Sequence, residues 1–323
     1  MKRFLATLLA VIATNMASAA AQTYPSRPIT LVVPFAPGGL TDVIGRIVAE
    51  GMGKSLHQSV IVENVGGANG SIGTGRVARA APDGYTLLVG IWNTHVANGA
   101  IYELQYDIVK DFEPVTLLAD APLLLLANKD VAATDLRELV TWLKANPDKA
   151  SMGIPGSGSP AHLLGVLLQE KTGARFALVP YRGAGPVVQD LVAGWIQITF
   201  INPATALPHI RSGSIKAFAV TAKDRLTIVP DVPSVDEAGL PGFHLSLWTG
   251  LFAPRGTPKQ IIDKLNTAAA NTLGDPAVRE KVAAQGLEIP SRERLTSEAL
   301  GTLQNAEIVK WWPIIKAAGI KPE

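Results

Sequence analysis

One repeating unit constrains this chain more than any single motif: an apolar, β-branched run, a turn rich in Gly and Pro, then an amphipathic helix. ITLVV (29–33) passes through PFAPGGLTD (34–42) into a helix expected near 41–54. QSVIVENV (58–65) passes through GGANGSIGTG (66–75) into a helix RVARAA (76–81), and PDGYTLLVG (82–90) reads as a turn and a strand. The unit then restarts with the continuous apolar strand PLLLLANK (122–129) and the helix TDLRELVTWLKANP (134–147), with Thr134 as the expected N-cap. It recurs in the stretches 150–173, 174–194 and 195–213 before a last strand, SIKAFAVTA (214–222). Such alternation specifies βαβ units and a mostly parallel sheet. It also puts each Gly-rich turn at the C-terminal end of a strand, where open α/β sheets bind ligands.

The last third differs. FHLSLWTGLFAP (243–254) alternates as one long strand, and three helical stretches from 257 to about Ala318 bring no strands of their own. Those helices are expected to pack back onto the first sheet. The resulting division is 22–121 plus 247–323 for one lobe and 122–246 for the other. Two strands cross between them, near 117–126 and 243–251, which describes an α/β clamshell with a two-strand hinge.

The N-terminus carries Lys2 and Arg3, the short apolar run FLATLLAVIA (4–13) and small residues up to Ala21. That is the pattern of a secretory signal peptide, residues 1–21, cleaved near Ala19–Ala21. Its removal takes away two cations and no acid, so the formal charge of +2 becomes zero. A neutral exported chain gives no electrostatic reason to bind nucleic acid or an anionic membrane surface. With no cysteine, thiol nucleophiles, thiolate metal sites and disulfides are excluded. At 47% hydrophobic and 17% charged residues, the chain has the composition of a well-buried globular protein.

Catalytic and cofactor motifs are missing. GSGSPA (156–161) spells G-x-G-x-x-A between a strand and a helix, but the next strand ends Val179-Pro180-Tyr181 without the acid a dinucleotide site requires. There is no G-x-S-x-G elbow, no H-E-x-x-H, and the five histidines are scattered without ligand spacing. His95 and His162 follow strand-end turns, and Trp248 divides evenly between cleft lining and core. No cofactor or metal is expected. The PFAPGGLTD turn lacks the Lys of a phosphate loop, so it serves either the chain alone or a ligand smaller than a nucleotide.

PFAPGGLTD, GSGSPAHL and VPYRGAGP occur together with VENVGGANGSIGTGRVARAAPDGYTLL (62–88), AGWIQITF (193–200), ALPHIRSGSIKAFAVTA (206–222) and APRGTPKQIIDKLN (253–266). In that order and spacing the mature chain resembles the substrate-binding proteins of tripartite tricarboxylate transporters, the Bug-type periplasmic receptors. The resemblance implies a two-lobed type II periplasmic-binding-protein fold. It also implies capture of a small carboxylate between the lobes and presentation to the membrane subunits of a tripartite uptake system, by a monomer. A receptor feeding a sensor kinase, or an exported enzyme acting on a carboxylate, remain the alternatives.

The ligand-binding set implied by the resemblance starts in the first loop with Phe35, Pro37, Gly38, Gly39, Thr41 and Asp42, contacting the ligand through main-chain N–H groups and water. Thr94 joins it after the strand at 82–90, and Trp248 on the crossing strand. The second lobe contributes Ser157, Gly158, Ser159 and His162 at a helix start, Tyr181 and Gly183, and Ile201 and Asn202. Many members carry an acid where this chain has Ile201, which argues against an amino-acid ligand, although Asp42 could accept an ammonium. No acid stands near the 157–159 turn, so the principal carboxylate is expected there, with Ser159 donating to it.

Overall fold

The protein is described by a computed structural model covering residues 24–156, 158–181 and 183–319; the signal-peptide expectation, Ser157 and Arg182 lie outside these residues. Two five-stranded sheets form the two lobes. The first has the order β2-β1-β3-β10-β4, with β1 Ile29–Val33, β2 Val60–Asn64, β3 Thr86–Ile91, β4 Phe112–Ala119 and β10 Thr249–Pro254. The second has the order β7-β6-β8-β5-β9, with β5 Leu124–Asn128, β6 Ser151–Ile154, β7 Ala177–Pro180, β8 Ile198–Ile201 and β9 Ile215–Val220.

Each sheet is mixed, and for the same reason. In the first, only β10 opposes its neighbours, pairing antiparallel with both β3 and β4. In the second, β5 alone is reversed, between β8 and β9. These are the two strands entered directly from the other lobe. A chain that crosses at the strand-end side of a sheet must start its next strand there and run away from it. Crossing therefore fixes the reversal.

Helices cover both faces. α1 (Leu40–Leu56) sets Ile44, Val48 and Met52 against Leu31, Leu87 and Val89, and α8 (Lys259–Gly274) adds Leu265 and Ala269 to the same core. α10 (Ser297–Ala317) brings Leu300 and Trp311 to the other face, against Trp92 and Phe252. The C-terminal helices thus lie on the first sheet. Each fully buried Leu, Ile or Val among them contributes about 1.5–3 kcal/mol. Among the described residues no helix is long and apolar enough to cross a membrane.

Three local expectations change. The helix expected at 76–81 begins earlier, as α2 (Ser71–Ala78), because a 3₁₀ turn at Ala68–Gly70 already starts the coil. The N-cap of the helix Leu136–Ala145 is Asp135, whose carboxylate accepts from Glu138 N, while Thr134 donates to the Glu138 side chain. The long strand 243–254 keeps its ladder only over Thr249–Pro254. Residues before it leave the sheet and run beside the other crossing segment, where Pro122 and Ser246 form an isolated bridge and Leu247 N donates to Ala121 O.

Thr221 ties this crossing region together: its hydroxyl donates to Leu245 O at 2.6 Å and accepts from Leu123 N at 2.9 Å.

Candidate functional site

Three pieces of backbone lie at the strand ends, the first packed on the second where Phe35 meets Gly66 and Gly70. The first is PFAPGGLTD. Its Asp42, only 3% exposed, accepts from Gly38 N and Arg46 Nε through one oxygen and from Asn64 Nδ2 through the other, all at 2.9 Å. The Arg46 hydrogen bond is the largest cause of its low pKa, about 2; burial opposes it, and the Gly38 and Asn64 donors reinforce it. This corrects two expectations. Asp42 is turned into the loop as its clamp, with no oxygen presented to an ammonium, and the Gly38 N–H is spent on Asp42. Gly39 keeps an extended backbone, φ −77°, and a Cβ there would meet only Ala36 O, at 3.9 Å. Phe35 O accepts from Asn64 Nδ2, so the same Asn holds both ends of the loop.

The second piece was not legible as a site. Gly67, Ala68, Asn69 and Gly70 all have positive φ: 122°, 46°, 50° and 86°. Two of the four are not glycine, and each such residue costs on the order of 1–3 kcal/mol unless its surroundings hold it. Gly70 must lack a side chain, because a Cβ there would come within 2.7 Å of Thr94 and 2.9 Å of Phe35. Beside this turn, β3 ends in a π-helical turn, Asn93–Ala97, a form often found at functional sites. It turns Asn93 outward and buries Thr94 and His95 completely.

Thr94 is therefore beneath the wall and not in it. Its hydroxyl bonds to Ile91 N and O and to His95 Nδ1. His95 stacks on Phe252 with ring centroids 3.9 Å apart, and burial pushes its pKa down to about 3, so it is a neutral core residue.

The third piece belongs to the second lobe. Ser159 caps α5 (Pro160–Thr172): its hydroxyl oxygen accepts from His162 N at 3.3 Å, leaving the proton to donate outward. Gly158 N donates to His162 Nδ1, so His162 pins the turn, and its pKa is lowered by burial. Tyr181 donates to Asp190 at 2.7 Å, with its pKa pushed up to about 12 by burial first and Asp190 second. Gly183, φ 100°, precedes the helix Ala184–Ala193 with open space beside it. Ile201 is buried, and Asn202 caps the helix Pro203–Arg211 through Ala204 N while also standing close to Gly286 of the first lobe.

A cavity of about 500 Å³ joins the second and third pieces, lined by Ala68, Asn69, Asn93 and Tyr102 on one side and Gly156, Gly158, Ser159 and Pro160 on the other. Its size falls in the usual range of about 300–1,000 Å³ for small-ligand sites. No charged side chain is among the described residues lining it. Ser159 and Gly158 are thus brought together with residues of the other lobe that the sequence did not single out. The available signal was the Gly-rich GGANG at a strand end, read as a turn alone.

A second cavity, about 330 Å³, lies at the crossing segments and contains Asp120, Asp224, Glu288 and Glu307 beside Lys223 and Arg294. Arg294 pairs with Asp120, and burial pushes the pKa of Asp120, Glu288 and Glu307 up. Acids still outnumber cations in this lining, which disfavours an added anion. Trp248, 1% exposed, lines this cavity with its indole N–H unpartnered, which moves it from the cleft set to the crossing region. Among the described residues no group of three His, Asp or Glu is placed to hold a metal ion.

Residues 44–320 match the family described as the tripartite tricarboxylate transporter family receptor, TctC. The chain belongs to this receptor family. It is 39% identical over 329 residues to the protein BugT of Bordetella pertussis, covering 99% of both chains. Among solved structures it is similar to MatC of Rhodopseudomonas palustris, determined with bound malate: 40% identity, TM-score 0.74, covering 90% of this chain and 100% of that one. A second R. palustris protein, determined with adipate, is 33% identical at TM-score 0.76, covering 93% and 100%. The family is one of solute-binding receptors, and the two mixed sheets fit its two-lobed fold.

Proposed function

We propose that this TctC-family protein is an exported receptor that takes a small dicarboxylate into the 500 Å³ cleft and presents it to membrane subunits of a tripartite transporter. The observation that carries this reading is the juxtaposition of the Ser159-capped helix start with the neutral amide-bearing wall of Asn69 and Asn93. A helix N-terminus favours a carboxylate through its dipole. Ser159 adds an O–H donor, and no acid lines the cavity among its described residues to oppose the charge. The malate and adipate held by two relatives support a diacid of four to six carbons.

In this reading the Ser159 hydroxyl receives the first carboxylate beside Gly158, whose N–H is held by His162, while Asn69, Asn93 and main-chain groups of the first lobe meet the second end. Phe35, Pro37, Gly39 and Thr41 frame the rim. The lobes, 22–121 plus 247–323 and 122–246, close about the paired crossing segments, and the basic-apolar-small N-terminus directs export to the periplasm.

The test is thermal unfolding against a panel of acids and their neutral diamides. A ligand at 100 times its dissociation constant stabilises by about 2.7 kcal/mol, a shift of several degrees. Malate, adipate or a related diacid should shift the transition and the diamides should not. Equal shifts from acids and diamides would overturn the reading.

A further inference from the structure

The wall that Asn69 gives to the cleft is made of backbone its own sequence resists. Four consecutive residues, 67–70, hold positive φ, and Ala68 has neither the freedom of Gly nor a side chain able to stabilise the left-handed form. Something outside the turn must hold it. Asn98 is fully buried, and every hydrogen bond of its side chain goes to this one place. Its Oδ1 accepts from Asn69 Nδ2 at 3.0 Å, and its Nδ2 donates to Asn69 O at 3.0 Å and Ser71 Oγ at 3.1 Å. Asn98 also follows directly on the π turn Asn93–Ala97, whose first residue lines the same cavity.

We propose that Asn98 is a positioning residue for ligand capture: one buried amide locks the left-handed turn 67–70 to the π turn 93–97 and so sets the whole first-lobe wall. The proposal rests on the cleft being the ligand site. Asn98 itself touches no ligand; it removes the conformational cost that the turn would otherwise charge against binding, which is how pre-organisation raises affinity. A glycine at 68 would tolerate φ 46° without help, so Ala68→Gly makes the turn less dependent on Asn98.

The experiment compares wild type, Asn98→Ala, Asn98→Ser and Asn98→Ala/Ala68→Gly, with malate and adipate as calorimetric probes and Ser159→Ala as the control on the opposite wall. Hydrogen exchange of the amides at 68–72 is read in the ligand-free proteins. Asn98→Ala should weaken the probe about ten-fold or more and speed exchange at 68–72, with Asn98→Ser between it and wild type. Adding Ala68→Gly should recover at least three-fold of the lost affinity. If Asn98→Ala destabilises the fold too far, Asn98→Ser carries the same comparison. Wild-type affinity in the Asn98 variants, with Ser159→Ala impaired, overturns the positioning role and leaves the receptor reading standing. If wild type binds neither probe, the dicarboxylate reading falls and the capture role of Asn98 falls with it; unchanged protection at 68–72 in Asn98→Ala overturns its lock on the turn as well.

Discussion

Replacing Asp42 by alanine isolates the clamp of the PFAPGGLTD loop. The carboxylate receives Gly38 N and Asn64 Nδ2, and a hydrogen bond to a charged acceptor contributes roughly 1.5–3 kcal/mol. The Arg46 pair adds at most about 1 kcal/mol, because the arginine side chain is 53% exposed. Water can replace the carboxylate at the exposed Gly38 end, which brings the expected loss to about 3 kcal/mol. At about 2.1 cal/mol/K per residue, a chain of 323 residues should melt about 4–5 °C lower. The pH dependence is the sharper check. An unfolded aspartate titrates near 3.9, while Asp42 in the fold titrates at about 2. A depressed carboxylate stabilises fully above its unfolded pKa and loses that contribution as the pH falls through the folded one. Urea unfolding of wild type and Asp42→Ala should therefore show a constant gap from neutrality down to about pH 5, closing towards about pH 2. A gap below about 1 kcal/mol at pH 7, or one that does not narrow in acid, would refute the clamp.

Other outcomes follow from the same geometry. Ser159→Ala should weaken diacid binding ten- to hundred-fold, with about 1 kcal/mol lost from the cap, readable by calorimetry and melting. Gly39→Val should fold normally, since a Cβ there meets only Ala36 O at 3.9 Å, and should lose affinity if the loop frames the cleft. Gly70→Ala should destabilise by about 2 kcal/mol or more, because it combines a left-handed φ with contacts to Thr94 and Phe35. Glu288 has its pKa raised by burial, by Asp120 and by Asp224. Its charge opposes folding above that pKa and is absent below it, so Glu288→Gln should raise the melting temperature at neutral pH and leave it unchanged in acid.

The parts of the fold that sequence could show are those set by local pattern. Alternating strands and helices, the Ser159 cap before Pro160, and the return of the C-terminal helices to the first sheet all follow from periodicity and turn chemistry. Residues 243–248 were misread because their alternation reflects two environments passed in sequence, the crossing region and then the sheet. The first-lobe wall was hidden for a deeper reason. Nothing in the letters of Ala68 or Asn93 encodes a left-handed turn or a π turn, since both are held by partners such as Asn98, 29 residues from Asn69. Asp42 was visible as an acid at a helix start, but its partner Asn64 stands 22 residues away, on β2.

The reversed strand β10 has a consequence for how the chain matures. It sits between β3 and β4, so the first sheet cannot close until residues 249–254 have been delivered. In a polypeptide emerging from its N-terminus, β3 and β4 must wait with facing edges unpaired while the whole stretch from 120 to 248 appears. The second sheet has no such debt: all its strands fall between Leu124 and Val220, and they can pair as soon as they are out. The lobe made last in sequence terms is thus the one begun first. Its open edges are the stage at which a newly made chain is most exposed to wrong pairing, and the arrival of TGLFAP at 249–254 ends that exposure.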